Sequence, residues 1–251
     1  MAYQTRNLIN GAAALYFSTA SSDSEGWNGS VSLPDAVPTE SMRDTLEKSD
    51  EWGSAGFTTE GIEVEYTPEF TDVEVDQLLD AAQIYKTRQS FTVRTTLAEA
   101  TLENLQIVWA MPKEALVRYS THSTDFEGNE LVAGDEMLGI GGGSLGEYPV
   151  ERSLAFVGNA PRKPGYKTER IYHVRRVLQT EASSHGLRRA ESTVFPVSFR
   201  CMPDPNHPGN DYGFVKGRVF TTTGSTGDPV ARDTAVDDPT TPGSEGAPVG
   251  P

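Results

Sequence analysis

The residues best suited to chemistry lie close together in the segment GIEVEYTPEFTDVEVDQ, residues 61–77. Two carboxylates can hydrolyse a glycosidic bond, and several carboxylates on one loop can bind calcium. The candidates are five carboxylates: Glu63, Glu65, Asp72, Glu74 and Asp76. However, apolar residues alternate with these acids, and the glycine and distal glutamate of an EF-hand loop are missing. The pattern therefore favours a half-buried strand with an acidic face over a calcium or catalytic site.

The other reactive residue types lack the partners that chemistry would need. The four histidines have no metal-ligand spacing and are expected to be satisfied or exposed: His122, His173, His185 and His207. The single cysteine, Cys201, sits in a strand pattern and is expected to be a small buried hydrophobe. We therefore predict a protein that is not an enzyme, with no catalytic residue, no cofactor and no metal.

Two short motifs match binding or modification signals by letters alone. Gly141, Gly143 and Gly146 fit G-x-G-x-x-G, but Pro149 and a β pattern follow where a dinucleotide site needs a helix. A flexible glycine-rich loop over residues 134–149 is the better interpretation. Asn28 begins a glycosylation sequon, yet no secretory signal supports it.

Charge and composition exclude several functional classes. The net charge is −15, and residues 23–80 hold 16 acids against two bases, Arg43 and Lys48. A basic nucleic-acid surface is therefore not expected. One cysteine permits no intrachain disulfide, and no apolar run reaches membrane-spanning length. These features predict folding in a reducing cytoplasm.

Most of the chain shows the period-two alternation of β-strands, so the predicted fold is mainly β. Further predicted strands occupy residues 11–20, 88–96, 116–126, 152–158, 167–182, 192–202 and 214–221. One helix is predicted over about 96–111. Thr96 and Glu99 form a capping-box pattern, and apolar residues recur at helical spacing until Pro112.

Two segments fall outside this pattern. Residues 21–56 predict a long loop, and its large apolar side chains suggest a docking surface: Trp27, Met42, Leu46 and Trp52. Residues 222–251 are rich in Pro, Gly and Thr and lack aromatic residues, which predicts a disordered tail. We thus expect one β domain over residues 1–221 followed by a flexible tail.

The segment FTVRTTLAEATLENLQIVWAMP (91–112) resembles bacteriophage tail tube (major tail) proteins of long, non-contractile-tailed phages. In that family a strand leads into a helix carrying L-x-E-A-T-L-E-N-L. The matching positions here are Leu97, Glu99, Ala100, Thr101, Leu102, Glu103, Asn104 and Leu105. VEVDQ (73–77), residues 152–177 and residues 194–205 are similar to the family's other strands, in the same order. The loop 21–56, longer and more acidic than expected, and the tail after residue 221 depart from the family.

The resemblance implies a β-sandwich or barrel with one flanking helix, and a structural role in the virion tail. Six copies would form a ring, and rings assembled in the host cytoplasm would stack into a tube. Its partners would be further copies, the tape-measure protein, the tail terminator and the distal tail proteins, with DNA passing through the lumen. The helix, with Leu97, Trp109 and the matched positions between, would serve assembly, and the loop 21–56 would contact neighbouring subunits or rings.

The direction of the acidic face decides its role. Carboxylates lining the lumen would repel DNA and let it slide, whereas carboxylates on the outside would keep the particle dispersed. Arg88 and Arg94 are expected to pair with these acids on a neighbouring strand or across subunits. Two alternatives remain: the tube protein of a phage-derived secretion system, and a carbohydrate-binding sandwich using Trp27, Trp52 and Tyr66. The helix could also simply plug one end of the sandwich.

Overall fold

The protein is a mainly β fold with few helices, which confirms the predicted class. The computed structural model describes residues 7, 9, 11–22, 26–74, 76, 80–120, 124–141, 148–189 and 192–221. The predicted tail 222–251, His122, Gly143 and Gly146 lie outside the described residues, as do Val75 and Gln77 of the segment 61–77.

The described part contains ten strands, two α-helices and a 3₁₀ helix. The strands are β1 (Ala14–Ser21), β2 (Trp52–Ser54), β3 (Thr58–Val73), β4 (Gln83–Leu97), β5 (Leu116–Arg118), β6 (Glu136–Leu138), β7 (Arg152–Asn159), β8 (Lys167–Gln179), β9 (Phe195–Met202) and β10 (Gly213–Phe220). The helices are α1 (Met42–Glu47) and α2 (Leu102–Val108), and Lys113–Ala115 is 3₁₀. Of the predicted strand over 116–126, β5 forms and pairs with β6, whereas the described residues 119, 120 and 124–126 belong to no strand element and residues 121–123 lie outside the described residues.

The main sheet is antiparallel, with strand order β2-β1-β7-β8-β9-β4-β3. Strand β8 is long enough to hold two partners on one edge. Its residues 167–174 pair with β10, and its residues 176–179 pair with β9. Because β7 pairs with the opposite edge of β8, the sheet forks between β9 and β10. We call this point the fork.

Two apolar cores lie on opposite faces of β1 and β7, because successive side chains of a strand point to opposite faces. The first core contains Leu15, Phe17, Leu154 and Phe156, with apolar residues of β4 and β9. Val108 of α2 is buried in this core, and Leu105, Ile107 and Trp109 pack against it half-buried. The second core is built from Tyr16, Met42, Leu46, Trp52, Ala155, Val157 and Ile171.

A bulge in β8 lets one strand serve both cores. The pairing of β7 with β8 shifts by one residue between Arg152↔Val177 and Leu154↔Val174. An inserted residue moves the following side chains to the other face. Ile171 therefore belongs to the second core and Val177 to the first, although residues six positions apart would lie on the same face of a regular strand.

The helix α2 begins later than predicted. Thr101 is its N-cap, and the Thr101 hydroxyl accepts a hydrogen bond from the backbone N–H of Asn104. Thr96 and Leu97 instead end β4, where Leu97 is fully buried opposite Phe195. Glu99 accepts a hydrogen bond from Phe57 N rather than capping a helix. The predicted capping box at Thr96 is therefore wrong.

The segment 21–56 is more ordered than predicted. It contains α1, whose N-terminus is closed by a reciprocal capping box between Ser41 and Asp44, and also β2. Met42, Leu46 and Trp52 are each at most 4% exposed and fill the second core. The prediction that these three side chains contact another ring is therefore wrong, because they dock on their own sheet. Trp27 is half-buried, with the Arg176 guanidinium 5.6 Å from its ring centroid.

Candidate functional site

The outer half of the β3–β4 hairpin projects as a two-stranded arm. β3 pairs with β4 from Thr58↔Leu97 to Val73↔Gln83, whereas β9 pairs only with residues 91–97 of β4. Residues 66–73 and 83–90, which we call the arm, therefore have no third strand in the described part of the chain. Two strands without such support are marginal in water unless something packs against them.

One face of the arm and its root is charged. Glu63, Glu65 and Glu69 alternate along β3, opposite Arg94, Thr92 and Arg88 of β4. Arg94 Nη1 lies 2.5 Å from Glu65 Oε2, and its Nη2 lies 3.5 Å from Glu181 Oε1. Arg88 lies 3.7 Å from Glu69. The prediction that these arginines pair with the acids on a neighbouring strand is confirmed for both residues.

The other face carries an apolar stripe. It runs from the half-buried Ile62 to four exposed side chains: Val64 (46% exposed), Tyr66 (47%), Phe70 (60%) and Ile84 (61%). Tyr66 stacks on Phe91, whose ring in turn contacts Tyr212. We call this set of four exposed side chains the apolar stripe. An exposed stripe that continues from a core marks an interaction surface more often than a solvated one.

The five predicted carboxylates do not share one face. β3 runs without interruption through Pro68, so Glu63 and Glu65 point to the charged face and Asp72 to the face of the apolar stripe. Glu74 and Asp76 lie beyond the end of β3 and are exposed. The prediction that one face of this strand is core is also wrong for the arm, where both faces are exposed. Among described residues, only Glu65 of the five makes an ion pair.

The free edge of β3 is available to another chain. β3 pairs with β4 alone, so its outer N–H and C=O groups have no strand partner in the described part. Pro68 lies within β3 and has no N–H, which is tolerated at a sheet edge and interrupts pairing locally. An edge of this kind permits contact with another subunit over part of its length.

The predicted assembly helix faces mainly its own subunit. Leu97 and Asn104 are buried, and the Asn104 side-chain amide donates to Ala55 O at 3.0 Å and Glu99 O at 2.8 Å. Leu102, Leu105 and Trp109 are half-buried. Glu103 pairs with Arg118, which also lies 3.2 Å from Glu136. The interior side chains are therefore not an assembly surface, and only the Thr101 end of the helix is exposed.

The described histidines and the cysteine belong to no cluster of metal-ligating side chains. No group of three metal-ligating side chains occurs in the described ranges. His173 is buried, His185 lies between the rings of Trp109 and Phe195, and His207 Nδ1 lies 3.0 Å from Asp204. Cys201 is buried, as predicted, and burial raises the pKa of its thiol to about 12. In the same ranges, no helix has the length and apolar character to cross a membrane.

The aromatic residues suggested for carbohydrate binding are not gathered on one face. Trp52 is buried in the second core, Trp27 lies beside Arg176, and Tyr66 stands on the arm. A carbohydrate platform needs exposed aromatics side by side. The carbohydrate-binding alternative therefore loses the residues on which it rested.

Comparison with known proteins assigns no relative. The chain matches no family model and no curated protein.

The sequence pattern did not predict the exposed apolar stripe, because alternation predicts a buried face wherever a strand is amphipathic. The length of the hairpin could have revealed the stripe, since segments 58–73 and 83–97 extend well beyond the residues of β4 that pair with β9.

Proposed function

We propose that the chain is a structural subunit of a bacteriophage tail tube, forming hexameric rings that stack into a hollow conduit. The observation that carries this proposal is the arm, which has no third strand in the described part of the chain, together with an apolar stripe whose four side chains stay exposed. The resemblance around L-x-E-A-T-L-E-N-L supplies the kind of assembly. In this proposal the chain is a structural component of the virion and not an enzyme.

Burial of the apolar stripe against another copy gives the ring its stabilisation. Removing a large aliphatic or aromatic side chain from water contributes about 1.5–3 kcal/mol. Four such side chains lie on one face of the β3–β4 hairpin, three of them on the arm. The arm contacts a different surface of the next copy, and such a heterologous contact closes into a ring when the rotation returns to its start.

The carboxylates of the hairpin keep the conduit free for its contents. DNA carries one negative charge per about 1.7 Å of duplex axis, so a wall of like charge does not retain it. Glu63, Asp72, Glu74 and Asp76 are not neutralised by ion pairs among the described residues. In the assembled tube, the carboxylates on the face that lines the channel meet the tape-measure protein first and the passing DNA afterwards. The tail terminator and the distal tail proteins bind the tube ends.

A tube protein of a phage-derived secretion system has the same architecture and remains the second candidate. It would form the same rings and carry proteins instead of DNA. Genes encoding capsid and portal proteins beside this gene would favour the phage tail, and genes for secreted effectors would favour the secretion system.

Assembly is tested with two matched double variants on opposite faces of the arm. Phe70→Gln with Ile84→Gln removes one aromatic and one aliphatic residue from the apolar stripe. Tyr85→Gln with Val73→Gln removes the same types from the opposite face, where they are 49% and 37% exposed. We expect the first variant to remain a folded monomer by light scattering and circular dichroism. We expect the second variant and the unaltered chain to form rings or rods in negative-stain micrographs.

Equal assembly of both double variants would sink the role of the apolar stripe. A strict monomer at high concentration for the unaltered chain would contradict the tube itself. If circular dichroism shows that the first variant is unfolded, the single variant Ile84→Gln is used in its place. This variant leaves the Tyr66–Phe91 stack and Phe70 unchanged.

The lumen role is tested by neutralising each face separately. One variant carries Glu63→Gln and Glu65→Gln, and the other carries Asp72→Asn and Glu74→Gln. The face that lines the channel is the one whose neutralisation lowers genome delivery by virions with tails of normal length. Normal delivery by both variants would contradict the lumen role.

A further inference from the structure

A cavity of about 300 Å³ lies between residues 32–36 and the strands β8 and β10. It involves neither strand of the arm, and we call it the β8–β10 cleft. Its polar lining consists of Ser32, Asp35, His173, Arg175, His207, Lys216 and Arg218. An accumulation of cations is unexpected in a chain with a net charge of −15. The cleft therefore requires its own explanation.

The register of the two strands gathers these cations on one face. Glu169 lies opposite Arg218, Ile171 opposite Lys216 and His173 opposite Phe214. Directly opposed residues of an antiparallel pair point to the same side. Arg175 follows on β8 at the fork and lines the same cavity. The cations thus follow from the pairing of β8 with β10.

Two of the three cations form no ion pair within the described residues, although the Asp35 carboxylate also lines the cleft. Arg218 Nη1 lies 2.6 Å from Glu169 Oε1 and forms a buried ion pair. Arg175 is only 6% exposed, yet its guanidinium donates to Asn210 O at 3.0 Å and Ser30 Oγ at 3.2 Å, both uncharged. Within the described residues, neither Arg175 nor Lys216 has a carboxylate at ion-pair distance. A buried cation without an anion is costly, so an anionic ligand would be stabilised there.

His173 adds a hydrogen-bond acceptor to the lining. Its Nε2 lies 3.0 Å from the carbonyl oxygen of Val31, and since a carbonyl can only accept, Nε2 carries the proton. Burial first, and the charges of Arg175 and His207 in addition, lower the pKa of His173 to about 4, although the hydrogen bond to Val31 opposes this. The ring is therefore neutral at pH 7 and its Nδ1 is a bare acceptor. Nδ1 is buried and has no partner among the described residues.

The loop above the cleft is fixed at both of its ends. Val31 N donates to Ser153 Oγ at 3.0 Å, and Trp52 Nε1 donates to Ser32 O at 3.2 Å. At the other end, Arg218 donates to the backbone carbonyls of Val37 and Glu40. Residues 33–36 therefore cross the cleft as a loop that hydrogen bonds hold at both ends. The cleft exists before any ligand binds, which reduces the ordering cost of binding.

We propose that the β8–β10 cleft binds a phosphate-type oxyanion that carries at least one P–OH group. Arg175 and Lys216 contact the charged oxygens, and His173 Nδ1 accepts the hydrogen bond of the protonated oxygen. Sulfate and the phosphodiesters of DNA have charged oxygens but no P–OH donor, so they match the cleft less well. The inference goes beyond the proposed function and does not depend on it. Inorganic phosphate keeps a P–OH group at pH 7, and a phosphate monoester offers the same chemistry in its monoanion, below its second pKa of about 6.

The test measures binding of inorganic phosphate and of sulfate to the full chain by calorimetry, at pH 7 and constant ionic strength. A phosphate monoester such as glycerol 3-phosphate forms a third arm that separates the two sources, and it is compared with inorganic phosphate at about pH 5, where both carry a P–OH group. We expect phosphate to bind about three- to tenfold more tightly than sulfate, which is the contribution of one net hydrogen bond. Lys216→Gln should weaken phosphate binding by about tenfold or more, because a charged hydrogen bond is lost. The matched control is Lys86→Gln, which removes an exposed lysine of the arm instead.

Two results would overturn the proposal. Equal affinity for sulfate and phosphate would remove the role of His173, since only general charge attraction would remain. Equal weakening by Lys216→Gln and Lys86→Gln would show that the cleft is not the site. Because Lys216 is exposed, its variant is expected to fold, and circular dichroism checks this.

A spectroscopic readout tests His173 without a substitution. Nitrogen-15 spectra of the histidine rings distinguish a bare Nδ1 from one that accepts a hydrogen bond. We expect phosphate to shift the His173 Nδ1 resonance and sulfate to leave it in place. An Nδ1 resonance that does not move at saturating phosphate would contradict the proposed contact.

Discussion

Two kinds of ion pair are present, and their surroundings give them different weights. Glu169 and Arg218 are both less than one-tenth exposed at their side chains, and Glu169 also accepts from Met42 N at the start of α1. Glu151 and Arg176 form a second partly buried pair with two contacts, of 2.6 and 2.8 Å. The pairs on the hairpin, such as Arg88 with Glu69, are largely exposed. Water screens the exposed pairs, so breaking a buried pair is expected to lower the free energy of unfolding more than breaking an exposed one.

Removal of Arg218 is expected to destabilise the protein strongly. Arg218→Met leaves the Glu169 carboxylate buried without its partner and should cost about 3–5 kcal/mol in the free energy of unfolding. The matched control, Arg88→Met, breaks an exposed pair and should cost at most about 1 kcal/mol. Urea denaturation of both variants measures the difference. Equal values would contradict a buried ion pair between Glu169 and Arg218.

His173 is expected to make stability depend on pH in a defined window. Burial and the neighbouring charges lower its pKa to about 4 in the folded state, against about 6.5 when unfolded. Between these values the unfolded chain binds the proton and the folded chain does not, so stability falls as the pH falls from 6.5 to 4. The loss should reach roughly 3 kcal/mol at pH 4 and level off below it.

A comparison of variants isolates this contribution from that of the carboxylates. His173→Gln removes the titrating ring and should flatten the difference in unfolding free energy between pH 6.5 and 4.5. His185→Gln, at a half-buried ring, is the control and should retain the dependence. An unchanged pH dependence in His173→Gln would contradict the depressed pKa.

At the scale of elements, the sequence predicted strands better than it predicted their ends. β1, β7, β8 and β9 lie close to their predicted ranges, because each has an apolar face that is actually buried. β10 also lies close to its range, although none of its side chains is buried. The start of α2 was misplaced because both Thr96 and Thr101 can cap a helix. The burial of Leu97 opposite Phe195 favours the strand as far as residue 97. Such tertiary contacts are invisible to local pattern.

The short elements and the candidate surfaces were harder to predict for a different reason. β2 and β6 have only three residues each, too few for a periodic pattern. The helix α1 had a signal in Ser41 and Asp44, with Met42 and Leu46 one turn apart. The β8–β10 cleft could not be predicted, because it depends on which strands are neighbours and on a bulge that no local residue type announces.

The fork depends on one glycine. Gly213 has φ +131°, and a Cβ there would lie 1.9 Å from the carbonyl oxygen of His173. Gly213→Ala should therefore displace the start of β10 and lower the unfolding free energy by about 1–3 kcal/mol. Gly217→Ala, on the same strand with open space around it, is the control and should be nearly neutral. Thermal denaturation compares them, and a neutral Gly213→Ala would contradict the close approach of β10 to β8.

At the scale of the whole molecule, charge opposes the assembly that the apolar stripe favours. Each copy carries −15, so neighbouring copies repel one another at low salt. The charges of one hairpin partly cancel within the chain, as Arg88 and Arg94 pair with Glu69 and Glu65. Assembly is therefore a balance between burial of the apolar stripe and repulsion of the acidic surfaces.

Raising the ionic strength is expected to promote assembly. The screening length falls from about 30 Å at 0.01 M salt to about 3 Å at 1 M, which weakens repulsion and leaves apolar burial intact. Static light scattering at fixed protein concentration should show a rising assembled fraction with sodium chloride. The Phe70→Gln, Ile84→Gln variant should stay monomeric throughout. A fall in assembly with salt would indicate that ionic contacts, not the apolar stripe, join the copies.

The pairing of β1 with β7 also governs how the chain reaches its fold. Ala14 pairs with Val157, so this central ladder closes a loop of roughly 140 residues, and contacts so distant in sequence slow folding. Until β7 has been synthesised, β1 has only the three-residue strand β2 beside it, although Leu15, Tyr16 and Phe17 all end buried. The nascent chain therefore exposes an aggregation-prone apolar segment for most of its synthesis. Slow folding of this kind would lower the supply of folded subunits from which the proposed tubes grow.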